Sequence, residues 1–225
     1  MTSAGTPRSG RLSRLVFRTL GVAVGILAIL GVASAGLHFA SAPFNPAFTR
    51  HPWITGTHVV LGGIYLALAP FQFVRRIRDR FLTYHRWAGR VLASMGILVG
   101  GSALFLGLVI PLGGNPERVV IGAFGGFFLL ALLLGVTRVR QGRIDEHREW
   151  MIRAFAVGLS IATMRLLLLP ALMIADNASD QQVIWIFVSA FMAAFAAHLV
   201  VAELLVRKTR RRPAPSSQPA KPVAV

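Results

Sequence analysis

Histidine stands beside arginine and tryptophan at two points where an apolar run begins. The first segment reads HRWAGR over residues 85–90, and the second reads HREWMIR over residues 147–153. Imidazoles on membrane helices are the usual axial ligands of haem b, and arginines could pair with the haem propionates. Basic and aromatic groups at such a junction also anchor helix ends in lipid headgroups. His85 and His147 are therefore either candidate haem ligands or interface anchors.

Four further polar residues lie inside apolar runs: His58, Gln72, Arg165 and His198. Ionisable groups in a bilayer are costly, so they face a cavity or a partner inside the helix bundle. At about 1.5 Å per residue, His58 and Arg165 both lie about 22–24 Å from the inner ends of their spans. We predict that these two line one polar site in the outer half of the membrane, with Gln72, His85 and His147 at its inner end. For His198, a place in this site and a hydrogen-bonded packing role both stay open.

Helical periodicity shows which residues lie on the same helix face as these candidates. Residues four, seven and eleven apart share a helix face. In the second span this face is small or polar throughout: His58, Gly62, Tyr65, Ala69 and Gln72. The third span carries a small-residue seam that includes Gly96 and Gly100, and such seams let membrane helices approach closely. Both faces are expected to point into the bundle.

Composition predicts a membrane protein. The 225 residues are 55% hydrophobic and include no cysteine, which excludes a disordered chain, disulfides, thiolate metal sites and cysteine nucleophiles. Six apolar runs are long enough to cross a bilayer, at about 15–38, 52–74, 87–110, 117–137, 150–172 and 182–206. The expected fold is all-α, a polytopic six-helix transmembrane bundle over residues 15–206. A basic tail precedes it at 1–14, and a basic, Pro-rich disordered tail follows at 207–225.

The distribution of charge predicts the orientation. The chain has 24 Lys and Arg residues, and 21 of them lie in four places. These are the two terminal regions, the connection between the second and third spans, and the connection between the fourth and fifth spans, each with the adjoining helix starts. By the positive-inside rule both termini are cytoplasmic, in a multi-pass protein of the bacterial cytoplasmic membrane. Short arginine blocks between apolar runs argue for the lipid bilayer as the partner and against nucleic acid, despite a net charge of +16. For the first run, an uncleaved anchor is favoured over a cleaved signal peptide.

These motifs also resemble a known family. The segment from His58 through PFQF (70–73) to HRWAGR (85–90), and then HREWMIR (147–153) with Arg165, is similar to an uncharacterised bacterial membrane family. It is the domain-of-unknown-function family two-three-zero-six, and the resemblance runs from about residue 50 to about residue 200. It implies the membrane fold and marks the motif residues, but it names no reaction.

Three functions stay open from the sequence. The first is a redox protein that binds haem b and works with a membrane redox partner or complex. The second is a transporter of protons or small molecules, or a lipid- or ligand-binding protein, because intramembrane His, Arg and Gln suit such a path. The third is an assembly or scaffold subunit that uses its glycine seams on a partner. No phosphate loop, dinucleotide fingerprint or zinc-protease motif is present, so enzymatic activity stays undecided.

Overall fold

The computed structural model of the protein describes residues 19, 21–33, 36–37, 50–111, 113–175 and 177–210. These residues contain seven α-helices: α1 Gly21–Ala33, α2 Pro52–Leu68, α3 Arg75–Arg80, α4 Leu82–Val109, α5 Gly114–Arg140, α6 Ile144–Ile174 and α7 Asp180–Arg210. A 3-10 turn, Ala69–Phe73, extends α2. No strand occurs in the described part of the chain, so the predicted all-α class is confirmed.

Five helices are long and apolar enough to cross a membrane: α2 with its 3-10 turn (Pro52–Phe73), α4, α5, α6 and α7. Each overlaps one of the five spans predicted from residue 52 onwards, which confirms a multi-pass architecture. Helix α1 lies within the predicted first span, but 15–18, 20, 34–35 and 38 fall outside the described residues. So do the predicted tail 1–14 and residues 211–225. Helix α7 continues through Arg210, four residues past the predicted end of the sixth span.

The long helices run up and down in chain order. Each packs on the next, α2 on α4, α4 on α5, α5 on α6 and α6 on α7, and α5 also touches α7. Short connections force this antiparallel arrangement. The connections around α3 and at residues 141–143, together with the end of α7, form what we name the basic end of the bundle. The end of α4 with the start of α5, and the end of α6 with the start of α7, lie at the opposite end. That the basic end faces the cytoplasm stays a prediction from charge.

Small residues let the helices approach closely. A Cβ at Gly96 would meet Leu132 at 2.9 Å, and one at Gly100 would meet Phe128 at 2.9 Å, so this seam of α4 is filled by α5. Gly31 of α1 makes a similar contact with Leu66. Close packing replaces the hydrophobic driving force that lipid does not supply. The predicted seam therefore joins helices within the protein, and a scaffold role for it stays a prediction.

Candidate functional site

A cavity of about 110 Å³ lies between the helices of the bundle. Six helices contribute residues to its lining, namely α1, α2, α4, α5, α6 and α7. Most of its walls are apolar. Glycines from five helices line the cavity, and at these points its wall is backbone without a side chain: Gly31, Gly62, Gly63, Gly100, Gly125 and Gly158. Among the described residues, three polar side chains complete the lining, namely His58, Tyr65 and Arg165. The two residues predicted to share an interior site thus lie around one cavity.

Arg165 on α6 is the charged side chain of this lining. It is half-buried, and no acceptor among the described residues forms a hydrogen bond or an ion pair with its guanidinium. No Asp or Glu among the described residues lines the cavity. A guanidinium within the membrane is costly unless another group compensates its charge. Arg165 is therefore a cation whose acceptor is missing from the described part of the protein.

Tyr65 on α2 supplies a second uncommitted polar group. The side chain is 6% exposed, and its ring stands edge-on to Phe128 at a centroid distance of 6.1 Å. On either side of the ring, a Cβ at Gly96 or at Gly158 would lie only 3.4 Å from a ring carbon. The hydroxyl has no hydrogen bond to another described residue, although a buried tyrosine usually finds a partner. The sequence placed Tyr65 on the face of His58 but did not mark it as a site residue.

His58 connects α2 to α4 at the cavity wall. Its Nδ1 lies 3.1 Å from the Val99 carbonyl oxygen and 3.2 Å from Ser102 Oγ. The Ser102 hydroxyl lies 2.7 Å from the Leu98 carbonyl oxygen, to which it donates. A carbonyl oxygen only accepts, so Nδ1 of His58 carries the proton and donates. In the neutral ring Nε2 then keeps its lone pair.

Gln72, His85 and His147 lie at the basic end and are not in the cavity lining. His147 Nδ1 donates to the Gly135 carbonyl oxygen at 2.8 Å, which ties α6 to α5. Gln72 Oε1 and His85 Nδ1 are buried and have no hydrogen-bond partner among the described residues. Gln72 Oε1 would lie 3.5 Å from a Cβ at Gly89, one turn along α4 from His85. These three polar residues therefore lie apart from the cavity.

His198 is also absent from the lining and is hydrogen-bonded between two helices. Its Nδ1 donates to the Ala194 carbonyl oxygen at 2.9 Å, and its Nε2 lies 3.4 Å from Thr163 Oγ1 on α6. The ring thus links α7 to α6. This geometry favours the packing interpretation of the two that the sequence left open.

An ion-pair cluster, which sequence analysis missed, joins α6 to α7 at the basic end. Glu149 is 7% exposed and pairs with Arg210 and, at 3.8 Å, with Arg153. Arg153 donates to Glu203 at 2.8 Å, and its guanidinium lies 4.9 Å from the centroid of the Trp150 ring. The second histidine motif is therefore held by groups of the protein itself. The sequence did contain a signal of this cluster, because Glu149 and Arg153 stand four residues apart, a spacing at which opposite charges pair along a helix.

Comparison with known proteins agrees with this architecture. The family described as Predicted membrane protein (DUF2306) matches residues 55–206. The chain belongs to this family. The match to DUF2306 includes both histidine motifs, Arg165 and most of α2 to α7, which confirms the resemblance inferred from the motifs. No curated protein and no solved structure matches the chain. This DUF2306 member is an integral membrane protein, and the family description states no activity.

Proposed function

We propose that this protein binds a small lipid-soluble ligand inside the membrane, in the cavity lined by His58, Tyr65 and Arg165. The observation that carries the proposal is the Arg165 guanidinium, which lines an apolar cavity without an acceptor among the described residues. Intramembrane ionisable residues in such surroundings typically mark substrate or ion pathways. A ligand that accepts hydrogen bonds from Arg165 supplies the missing compensation.

The size and lining of the cavity suit a small ligand. Its volume of about 110 Å³ approaches that of an engineered apolar cavity of about 150 Å³ that binds benzene. Binding sites in helix bundles are built from side chains on facing helices, with apolar walls and few convergent polar groups. The same cavity could serve a transporter, and flux measured in proteoliposomes separates transport from binding alone.

A matched pair of variants tests the proposal. A Cβ at Gly62 meets only Val99 Cγ1, at 3.8 Å, and both residues line the cavity, so Gly62→Leu fills the space without a backbone clash. Gly101→Leu is the control, since nothing lies within 4 Å of a Cβ there. The assay measures the melting temperature of purified protein against a panel of small lipid-soluble compounds.

We expect the same compounds to raise the melting temperatures of wild type and Gly101→Leu. The melting temperature of Gly62→Leu should not change when these compounds are added. Ligand at about 100 times its Kd stabilises a protein by about 2.7 kcal/mol, which such an assay resolves. A compound that stabilises Gly62→Leu as much as wild type binds elsewhere, and that result contradicts the proposal.

The second candidate function is redox, with haem held by His85 and His147. What supports it is the bond from His147 Nδ1 to the Gly135 carbonyl, because metal-ligating histidines usually donate their other ring nitrogen in this way. Nε2 of His147 then keeps a lone pair for iron, and the haem iron would supply electron transfer. The absorption spectrum of protein expressed with added haem tests it. A missing Soret band contradicts this candidate and leaves the cavity proposal untouched.

A further inference from the structure

We infer that the ligand of this cavity is a small monocarboxylic acid, bound as its carboxylate to the Arg165 guanidinium and accepting a hydrogen bond from the Tyr65 hydroxyl. The inference rests on the proposed ligand-binding function and adds the chemical class of the ligand. It is carried by three properties of the lining, namely its charge, its uncommitted donors and its apolar volume.

Charge in the lining calls for a monoanion. Arg165 contributes one permanent positive charge, and no Asp or Glu among the described residues lines the cavity. In low dielectric a ligand of equal and opposite charge binds best, whereas a dianion such as a phosphate monoester would exceed the single cation. A cationic ligand would meet like-charge repulsion, and a neutral alcohol would leave Arg165 uncompensated.

The donors in the lining match a carboxylate in number. A guanidinium presents parallel N–H groups that fit the two carboxylate oxygens, and a carboxylate retains further lone pairs for another donor. Tyr65 provides that donor, because its hydroxyl has no acceptor among the described residues. The ring cannot swing away easily, since Phe128 and the backbone at Gly96 and Gly158 enclose it. The hydroxyl is thus a donor held on the wall of the cavity that Arg165 also lines.

The remaining lining takes the hydrocarbon part of the acid. Its walls include Val59, Leu66, Val99, Ile121 and Phe128. At about 110 Å³ the cavity accepts a group close to a benzene ring in size. A short-chain or aromatic acid therefore fits within the bundle, with the carboxylate as its polar end.

Benzoate, benzyl alcohol and benzylamine test the inference, because they share a ring and differ in the charge of the polar group. Binding to the purified full-length protein in micelles is measured by titration calorimetry, with each compound's free concentration corrected for micelle partitioning.

We expect benzoate to bind wild type at least ten-fold more tightly than benzyl alcohol, and benzylamine to show no binding. Arg165→Gln should abolish this preference, and Tyr65→Phe should weaken benzoate several-fold. The control Arg118→Gln removes an exposed arginine that bonds Asn115 and the Leu108 carbonyl, and should bind as wild type does.

Each other outcome overturns the inference. Equal affinity for benzoate and benzyl alcohol in wild type removes the carboxylate class, yet leaves the proposed function standing. A benzoate preference that persists in Arg165→Gln places the anion elsewhere. If Arg165→Gln does not fold, Tyr65→Phe decides, because unchanged benzoate affinity contradicts the geometry. No binding of any of the three compounds also overturns the inference, and the proposed function is then judged separately by the Gly62→Leu panel.

Discussion

The contact between Gly107 on α4 and Ile121 on α5 predicts a measurable effect of a single methyl group. A Cβ at Gly107 would lie 2.8 Å from the Cβ of Ile121, whereas nothing lies within 4 Å of a Cβ at Gly101 on the same helix. Replacing either glycine with alanine gains helix preference worth about 1 kcal/mol. Because that gain is common to both variants, the difference in their free energies of unfolding isolates the clash.

The size of this difference follows from the distances. Ordinary contacts to a Cβ begin near 3.4 Å, so the two helices must separate locally by at least 0.6 Å to accept the methyl group at 2.8 Å. A change of rotamer cannot relieve the clash, because the atom concerned is the Cβ of Ile121 and its position is fixed by the backbone. Adding atoms to a packed interior costs about 1–3 kcal/mol. Gly107→Ala should therefore be less stable than Gly101→Ala by about 1–3 kcal/mol.

Equilibrium unfolding in mixed micelles, titrated with sodium dodecyl sulfate and followed by tryptophan fluorescence, measures the two free energies. Ile121 also lines the cavity, so ligand-dependent stabilisation should weaken in Gly107→Ala and persist in Gly101→Ala. A difference below about 0.5 kcal/mol, which is within the scatter of surface substitutions, would refute the packing argument.

Three further predictions concern single side chains. Glu149→Gln should lower the melting temperature at least twice as much as Glu203→Gln. The reason is that Glu149 is buried between two arginines, whereas the side chain of Glu203 is 40% exposed. Equal shifts of the two melting temperatures would contradict this prediction. Glu117→Ala should cost about 1–3 kcal/mol of unfolding free energy in the same titration, since it leaves the buried N–H of Gly113, now bonded at 2.6 Å, without its acceptor. His198→Phe should cost less than about 1.5 kcal/mol and leave ligand-dependent melting shifts unchanged, because its link to α6 is one 3.4 Å hydrogen bond. Loss of those shifts would show that His198 belongs to the site.

The positions of the spans could be predicted from the sequence because the need for about 20 apolar residues is a local property of the chain. The ends of the helices could not be predicted in this way. Helix α4 begins at Leu82 instead of residue 87, and α6 begins at Ile144 instead of residue 150. Helix α7 continues to Arg210, where an ion pair with Glu149 of α6 holds its last turn. The mean hydropathy of a short segment cannot predict such contacts, because they depend on residues far away in the sequence.

The candidate site was predictable where it depends on helix geometry. Counting residues along two helices brought His58 and Arg165 to one depth, and both line the cavity. The same counting joined Gln72, His85 and His147 to that site, although the cavity lining includes none of them. Depth along single helices does not reveal what fills the space between helices. Tyr65 and Phe128 pack edge-on within the bundle, and Leu132, 2% exposed, lies one turn nearer the basic end.

Tyr65 escaped prediction for a related reason. An aromatic residue in an apolar span is usually part of the core, and nothing in its spacing distinguishes a tyrosine whose hydroxyl is bonded from one whose hydroxyl is not. The distinction depends on the surrounding helices. Glycines at positions 96 and 158 leave room for the ring, and no described neighbour supplies an acceptor.

The two histidine motifs resemble each other in composition, but their surroundings differ. In the second, His147, Glu149 and Arg153 all bond groups of neighbouring helices. In the first, His85 Nδ1 is unpaired, and among the described residues no carboxylate pairs with Arg86 or Arg90. A chain with eight acidic residues cannot supply a partner to each of its arginines. The arginines of the first motif are therefore available to anions outside the chain. Lipid phosphates at the membrane surface provide them, and we expect its arginines to anchor α4 there while the second motif fastens α6 to α7.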